Sequence, residues 1–123
     1  MEIDRDRFVD GIKAMGESVY SFHERFGIDC VNGSNDHETF EAMKQRLVLL
    51  SEETGEHARA INRGQVHEAI LEAVDIAYIA LGTLLKLGTA GTAACHEVVC
   101  KNDAKSSATH AKRTDSGKVL KAE

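Results

Sequence analysis

Four acidic residues form two evenly spaced pairs that could bind a metal ion. Glu53 and Glu56 are three residues apart. Glu72 and Asp75 repeat that spacing further along the chain. Residues three apart share one face of an α-helix, and like charges at this spacing cost about 0.2–0.5 kcal/mol. Only Glu56 has a Lys or Arg three or four positions away, so the other three carboxylates lack a neighbouring cation at helical spacing.

Two helices meeting antiparallel across the short turn at Gly64 would bring both pairs together. Four converging carboxylates make an oxygen cage of the kind that Mg²⁺ or Mn²⁺ prefers. A purely structural alternative is also open. Glu52, Glu53 and Glu56 could be solvated surface residues, while Asp75 could bond a Tyr or a backbone group within its apolar run.

Other chemical classes find little support in the sequence. No His follows a Glu by three residues, as the helical di-iron proteins require. A zinc site would need a C-x-x-C step or a fourth ligand, and neither accompanies Cys95, His96 and Cys100. The sequence therefore favours a role for the cysteines as small core residues. The chain also contains no glycine-rich phosphate loop of the Walker or dinucleotide type and no nucleophile elbow.

The composition favours a single helical domain. The 123 residues include no Pro, no Trp, four Phe and two Tyr, a poor supply for turn-rich or β-rich folds. A net charge of −5 argues against a nucleic acid polymer as a partner. Three Cys without a signal-like start predict a cytoplasmic protein, and no segment predicts a membrane partner.

The apolar periodicity predicts an all-α, four-helix bundle-like core. Gly27, Gly64 and Gly88 mark helix ends, and Asn35 with Glu38 forms a capping box. The predicted helices cover residues 3–26, 35–63, 66–87 and 93–104. We assign residues 1–105 to one helical domain and the basic, weakly periodic residues 106–123 to a flexible C-terminal tail.

The third predicted helix is apolar on nearly every side. From Ala73 to Leu85 its only formal charge is Asp75, yet the run is too short to cross a bilayer. Such a helix must be surrounded by other helices, and one chain supplies only three. We therefore predict a homo-oligomer, either a homodimer or a homotetramer.

The joint pattern resembles a known superfamily. Arg46 precedes Leu-Val-Leu-Leu-Ser, Glu-Glu-x-Gly-Glu and, on the next helix, Glu-Ala-Val-Asp-Ile-Ala-Tyr. This is similar to the all-α nucleoside triphosphate pyrophosphohydrolases, which include MazG-like proteins, dimeric dUTPases, dCTP pyrophosphatases and phosphoribosyl-ATP pyrophosphohydrolases. The resemblance covers about residues 40–105 and returns at Gly117-Lys118-Val119.

The resemblance implies hydrolysis between the α- and β-phosphates of a nucleoside triphosphate, which yields a monophosphate and pyrophosphate. It implies Mg²⁺ or Mn²⁺ held by the two pairs of carboxylates. Glu52 is the candidate to orient or deprotonate the attacking water, with Glu53 as the alternative. Non-standard or excess dNTPs are the favoured substrates, and phosphoribosyl-ATP ranks below them. A non-catalytic helical dimer that binds nucleotides or a protein is the competing hypothesis.

Substrate contacts are assigned on the same resemblance. Lys101, Asn102 and Lys105 are the candidates for holding phosphates, although solvated surface lysines are the alternative. The base-binding candidates lie at the end of the first helix: Phe22, His23 and Phe26. For the two Phe residues, which continue an apolar stripe, core packing is favoured over base stacking. The absence of Trp argues against a transfer of dCTP specificity.

Overall fold

The computed structural model describes residues 3–122, and it confirms the all-α fold class. Four helices and one small hairpin account for its regular structure. Their bounds are α1 Arg5–Arg25, α2 Asp36–Asn62, α3 Val66–Lys86, α4 Gly88–Asp103, β1 His110–Lys112 and β2 Val119–Lys121.

The helix ends follow the local capping chemistry. The Asn35 side chain accepts a hydrogen bond from the backbone N–H of Glu38 at 3.1 Å, so the predicted cap of α2 is confirmed. Two residues after α2 the chain turns at Gly64, whose φ of +68° is a left-handed conformation that glycine adopts without steric cost. The backbone N–H of Gln65 then donates to the carbonyl of Ala60 at 3.0 Å, and α3 begins at the next residue.

α2 and α3 form an antiparallel helical hairpin, which is the main packing unit of the chain. Near the turn, His57 Nδ1 lies 2.9 Å from the carbonyl oxygen of Ala69. Further from the turn, Arg46 donates to the carbonyl of Ile79 at 2.8 Å and to the Thr83 hydroxyl at 3.2 Å. α1 packs on α3, where Ser18 Oγ lies 3.0 Å from the Tyr78 hydroxyl.

The core of residues 3–122 is small. Val19, Ala42 and Ala60 are its buried apolar residues, while large apolar side chains on α1, α2 and α3 remain exposed. On α3 the exposed apolar residues include Ile70, Leu71, Val74 and Leu84. This exposure agrees with a contact between α3 and another subunit, which stays a prediction. No helix in the described part of the chain is long and apolar enough to cross a membrane.

The chain divides into two compact units between Thr92 and Ala93. In the second unit, β1 and β2 pair antiparallel, with Lys112 opposite Val119 and His110 opposite Lys121. The sequence predicts a tail without strands after residue 105, whereas the structure has this hairpin. Two three-residue strands are too short to show a clear alternation of apolar and polar residues. The domain boundary at residue 105 stays a prediction.

α4 begins earlier than the sequence predicts. It starts at Gly88 rather than at Ala93, only two residues after the end of α3. Its first turns contain Gly, Thr and Ala, which carry no apolar stripe, and so periodicity does not reveal them. A Cβ at Gly91 would clash with the carbonyl oxygen of Leu84, so the close approach at this point depends on the glycine.

Candidate metal centre

Three predicted ligands come together on the facing sides of α2 and α3. Glu53 and Glu56 lie one turn apart on α2, and Glu72 lies opposite them on α3. Each of the three offers a carboxylate oxygen, and these oxygens lie within 4.8 Å of one another. The antiparallel hairpin therefore brings together three of the four carboxylates that the spacing predicts to converge.

Two oxygens of this cluster are buried and have no hydrogen-bond partner within residues 3–122. They are Glu53 Oε2 and Glu72 Oε2. A buried acceptor without a partner costs free energy, and more so when it carries charge. Burial, the adjacent Glu72 carboxyl group and the charges of Glu56 and Asp75 raise the pKa of Glu53 to about 7. A divalent cation would supply the missing partner and neutralise the repulsion, so these residues fit such an ion.

Asp75 and Glu52 lie outside the close group of three oxygens. Asp75 is exposed, and it is not among the three residues whose oxygens lie within 4.8 Å of one another. Its charge still raises the pKa of Glu53. Glu52 is exposed and lies next to Glu53 on α2. Their roles as a fourth metal ligand and as a water-orienting residue stay predictions.

The burial of the predicted base-binding residues is the reverse of what the apolar stripe predicts, because His23 is buried and the two Phe residues are exposed. His23 is 5 % exposed, and it lies with Arg46 against Gly82 of α3. Burial, with the charges of Arg46 and Lys86, lowers the pKa of His23. His23 packs in the helix interface and also lines a cavity of about 260 Å³ with Tyr20 and Leu85, and its role in base binding stays a prediction.

Phe22 and Phe26 are exposed, contrary to the core packing favoured from sequence. Their ring centroids are 4.6 Å apart, and Arg25 lies over both rings. The Phe22 ring also meets Tyr78 edge-on at 6.2 Å. Tyr78 follows Asp75 by one helical turn, and so it connects this aromatic group to the carboxylate-bearing helix. Tyr78 ends the Glu-Ala-Val-Asp-Ile-Ala-Tyr segment, and this spacing from Asp75 is the signal in the sequence for its position.

The three predicted phosphate-binding residues lie near the end of α4. Asn102 and Lys105 line a common cavity in the unit that begins at Ala93. Lys101 does not line that cavity. Their role in phosphate binding stays a prediction.

An antiparallel helical hairpin carrying E-x-x-E and E-x-x-D is the site of the all-α nucleoside triphosphate pyrophosphohydrolases, and this superfamily is confirmed by comparison. The chain belongs to the phosphoribosyl-ATP pyrophosphohydrolase family, whose model matches residues 19–102. The matched range contains all four carboxylates and ends before the β-hairpin formed by β1 and β2. No significant match was found among curated proteins or among solved structures.

The raised pKa of Glu53 predicts a specific pH dependence of stability without metal. Its pKa is about 7 in the folded chain and near 4.5 when unfolded, so the folded chain binds more protons between these values. This stabilising contribution is complete below pH 4.5 and is lost as the pH rises through 7. We expect the melting temperature of wild type in EDTA, relative to Glu53→Gln, to fall between pH 5 and pH 8. Parallel pH curves for the two proteins would contradict the raised pKa.

Proposed function

We propose that this protein is a Mg²⁺-dependent pyrophosphohydrolase that cleaves a nucleotide between its α- and β-phosphates. Membership of the phosphoribosyl-ATP pyrophosphohydrolase family supports the reaction class. The observation that carries the proposal is the cluster of Glu53, Glu56 and Glu72, with its two buried oxygens that lack partners. Mn²⁺ has similar ligand preferences and is the alternative ion.

Each acidic residue has a role in this proposal. Glu53, Glu56, Glu72 and Asp75 would hold the divalent cation. When bound, such an ion neutralises phosphate charge and lowers the pKa of water. Glu52 orients the water and accepts its proton, with Glu53 as the alternative base. Exposure of Glu52 favours it for this role, because its carboxylate is accessible to water.

Two substrate classes are equally supported. A dNTP or NTP would place the enzyme in control of the nucleotide pool. Phosphoribosyl-ATP is favoured by the description of the matching family, so the lower rank that the sequence suggests for it is not upheld. Both carry the triphosphate that the proposed chemistry requires.

Contacts to the remainder of the substrate are also proposed. Phe22 and Phe26 offer exposed rings on which a base could stack. Lys101, Asn102 and Lys105 would contact phosphates. We propose a cytoplasmic protein that does not act on nucleic acid polymers or membranes.

We further propose that the protein is a homodimer or homotetramer. Soluble monomers rarely expose contiguous apolar surface as extensive as that on α1, α2 and α3. Phe8 and Ile12 on α1 illustrate this surface, with 61 % and 43 % exposure. Light scattering coupled to size exclusion should give at least twice the chain mass. A monomeric mass at micromolar concentration would contradict this proposal.

The proposed activity is tested by a substrate panel. Wild type with Mg²⁺ is incubated with each NTP and dNTP, with damaged nucleotides and with phosphoribosyl-ATP, and pyrophosphate release is measured. We expect release from at least one substrate, and the preferred one separates the two classes. A folded protein that turns over none of them would instead favour the non-catalytic nucleotide- or protein-binding dimer.

A further inference from the structure

The second unit contains a cavity of about 440 Å³ between the end of α4 and the hairpin. Its wall includes Val119 of β2. The other lining residues all carry a hydrogen-bond donor: Asn102, Lys105, Ser106, Ser107, His110 and Lys112. Of these, sequence reasoning assigned only Asn102 and Lys105 to phosphate binding.

The cavity has positive charge and no carboxylate in its lining. Neither Lys105 nor Lys112 forms a salt bridge with any residue between positions 3 and 122. The nearby acid Asp115 is already paired, because Arg113 Nε donates to its Oδ1 at 3.0 Å. That pairing holds the pKa of Asp115 below its ordinary value. The two lysines are therefore available to an anionic ligand.

The hairpin register places the basic groups on one side. His110 and Lys112 are two residues apart on β1, so their side chains share a face of the hairpin. Val119, which also lines the cavity, is the partner of Lys112 across the strands. On the α4 side, the backbone N–H of Lys105 donates to the carbonyl of Asn102 at 3.1 Å, which holds these two residues in one turn.

His110 lines the same cavity. Its Nδ1 lies 2.7 Å from the Thr109 hydroxyl, which also donates to the carbonyl of Ser106 at 3.3 Å. The imidazole ring therefore lies in a lining that also contains two ammonium groups and an amide.

We propose that this cavity binds a phosphate or pyrophosphate group, with Lys112 and His110 of the hairpin as contacts in addition to Asn102 and Lys105. A phosphoryl oxygen only accepts hydrogen bonds, which matches a lining rich in donors. The identification of this group as the polyphosphate of the substrate rests on the proposed function. The binding of the free anion does not, because it needs no turnover.

The test is calorimetric titration of the full chain with inorganic pyrophosphate in EDTA, which removes metal from both partners. We expect Lys112→Gln to weaken binding about tenfold or more, the loss typical of a hydrogen bond to a charged group. Lys118→Gln is the matched control, since it removes the same charge from the same hairpin at a residue that does not line the cavity. Its affinity should stay within about twofold of wild type.

Two results would overturn this site: no pyrophosphate binding by wild type at millimolar concentration, or an equal loss in both lysine variants. Circular dichroism of each variant checks that the fold is retained. Glu53→Gln separates the two proposals, because it should abolish hydrolysis while leaving pyrophosphate affinity in EDTA unchanged. If wild type binds pyrophosphate through Lys112 but hydrolyses no nucleotide, the cavity is upheld and the proposed function is refuted.

Discussion

Replacing Glu72 by Gln should reduce Mg²⁺-dependent pyrophosphate release by at least about 100-fold. The change removes an anionic ligand from a cluster in which three carboxylate oxygens lie within 4.8 Å. It leaves the size of the side chain almost unchanged. Glu53→Gln and Asp75→Asn should act in the same direction, and steady-state assays across a range of Mg²⁺ concentrations measure all three.

The matched control for Glu72→Gln is Glu68→Gln. Glu68 is an exposed acid one turn earlier on α3, and it does not belong to the cluster. It should retain activity within about threefold of wild type, because exposed charges contribute little. Equal activities for the two variants would contradict the assignment of Glu72 as a ligand. Thermal melts should show that Glu72→Gln remains folded, since it also removes electrostatic repulsion.

Gly82→Ala should destabilise the protein by about 1–3 kcal/mol, the usual range for overpacking a filled interface. A Cβ at this position would lie 2.9 Å from His23 Nε2 and closer still to Arg46 Nη2. Both side chains are buried, and Arg46 is held by its bond to the Ile79 carbonyl. Neither can move away without loss of packing among α1, α2 and α3. Urea denaturation measures the change in the free energy of unfolding.

Gly16→Ala is the matched control for this prediction. Gly16 lies within α1, and a Cβ there would meet nothing within 4 Å. The same substitution should stabilise the protein by about 0.5–1 kcal/mol, because alanine favours the helix. If Gly82→Ala were as stabilising as Gly16→Ala, the close packing of His23 and Arg46 against α3 would be wrong.

The sequence predicted the helices well where short-range chemistry sets them. The capping of α2 by Asn35 and the turn at Gly64 both depend on contacts within a few residues. The start of α4 and the hairpin were missed, because small residues and three-residue strands carry little periodic signal. The burial of His23 and the exposure of Phe22 were not predicted, for another reason. A buried polar ring depends on tertiary neighbours, here Arg46 and Gly82, which periodicity does not reveal.

More of the candidate site than of the surrounding packing could be predicted from the sequence. Helical spacing and a tight turn are sufficient to bring Glu53, Glu56 and Glu72 together. The exposure of Asp75 could not be predicted, because burial depends on tertiary packing that the spacing of acidic residues does not reveal. The cavity at the hairpin depends on a strand register that also leaves no clear mark in the sequence.

The most direct test of the central claim is ³¹P nuclear magnetic resonance of the products formed from the preferred nucleotide. With Mg²⁺, wild type should give a pyrophosphate signal and an equal amount of monophosphate. EDTA should abolish both signals, and Glu72→Gln should nearly abolish them. Appearance of orthophosphate and a nucleoside diphosphate instead would show cleavage at the terminal phosphate. That result, or equal turnover in EDTA, would contradict a metal-dependent pyrophosphohydrolase built on the carboxylates of α2 and α3.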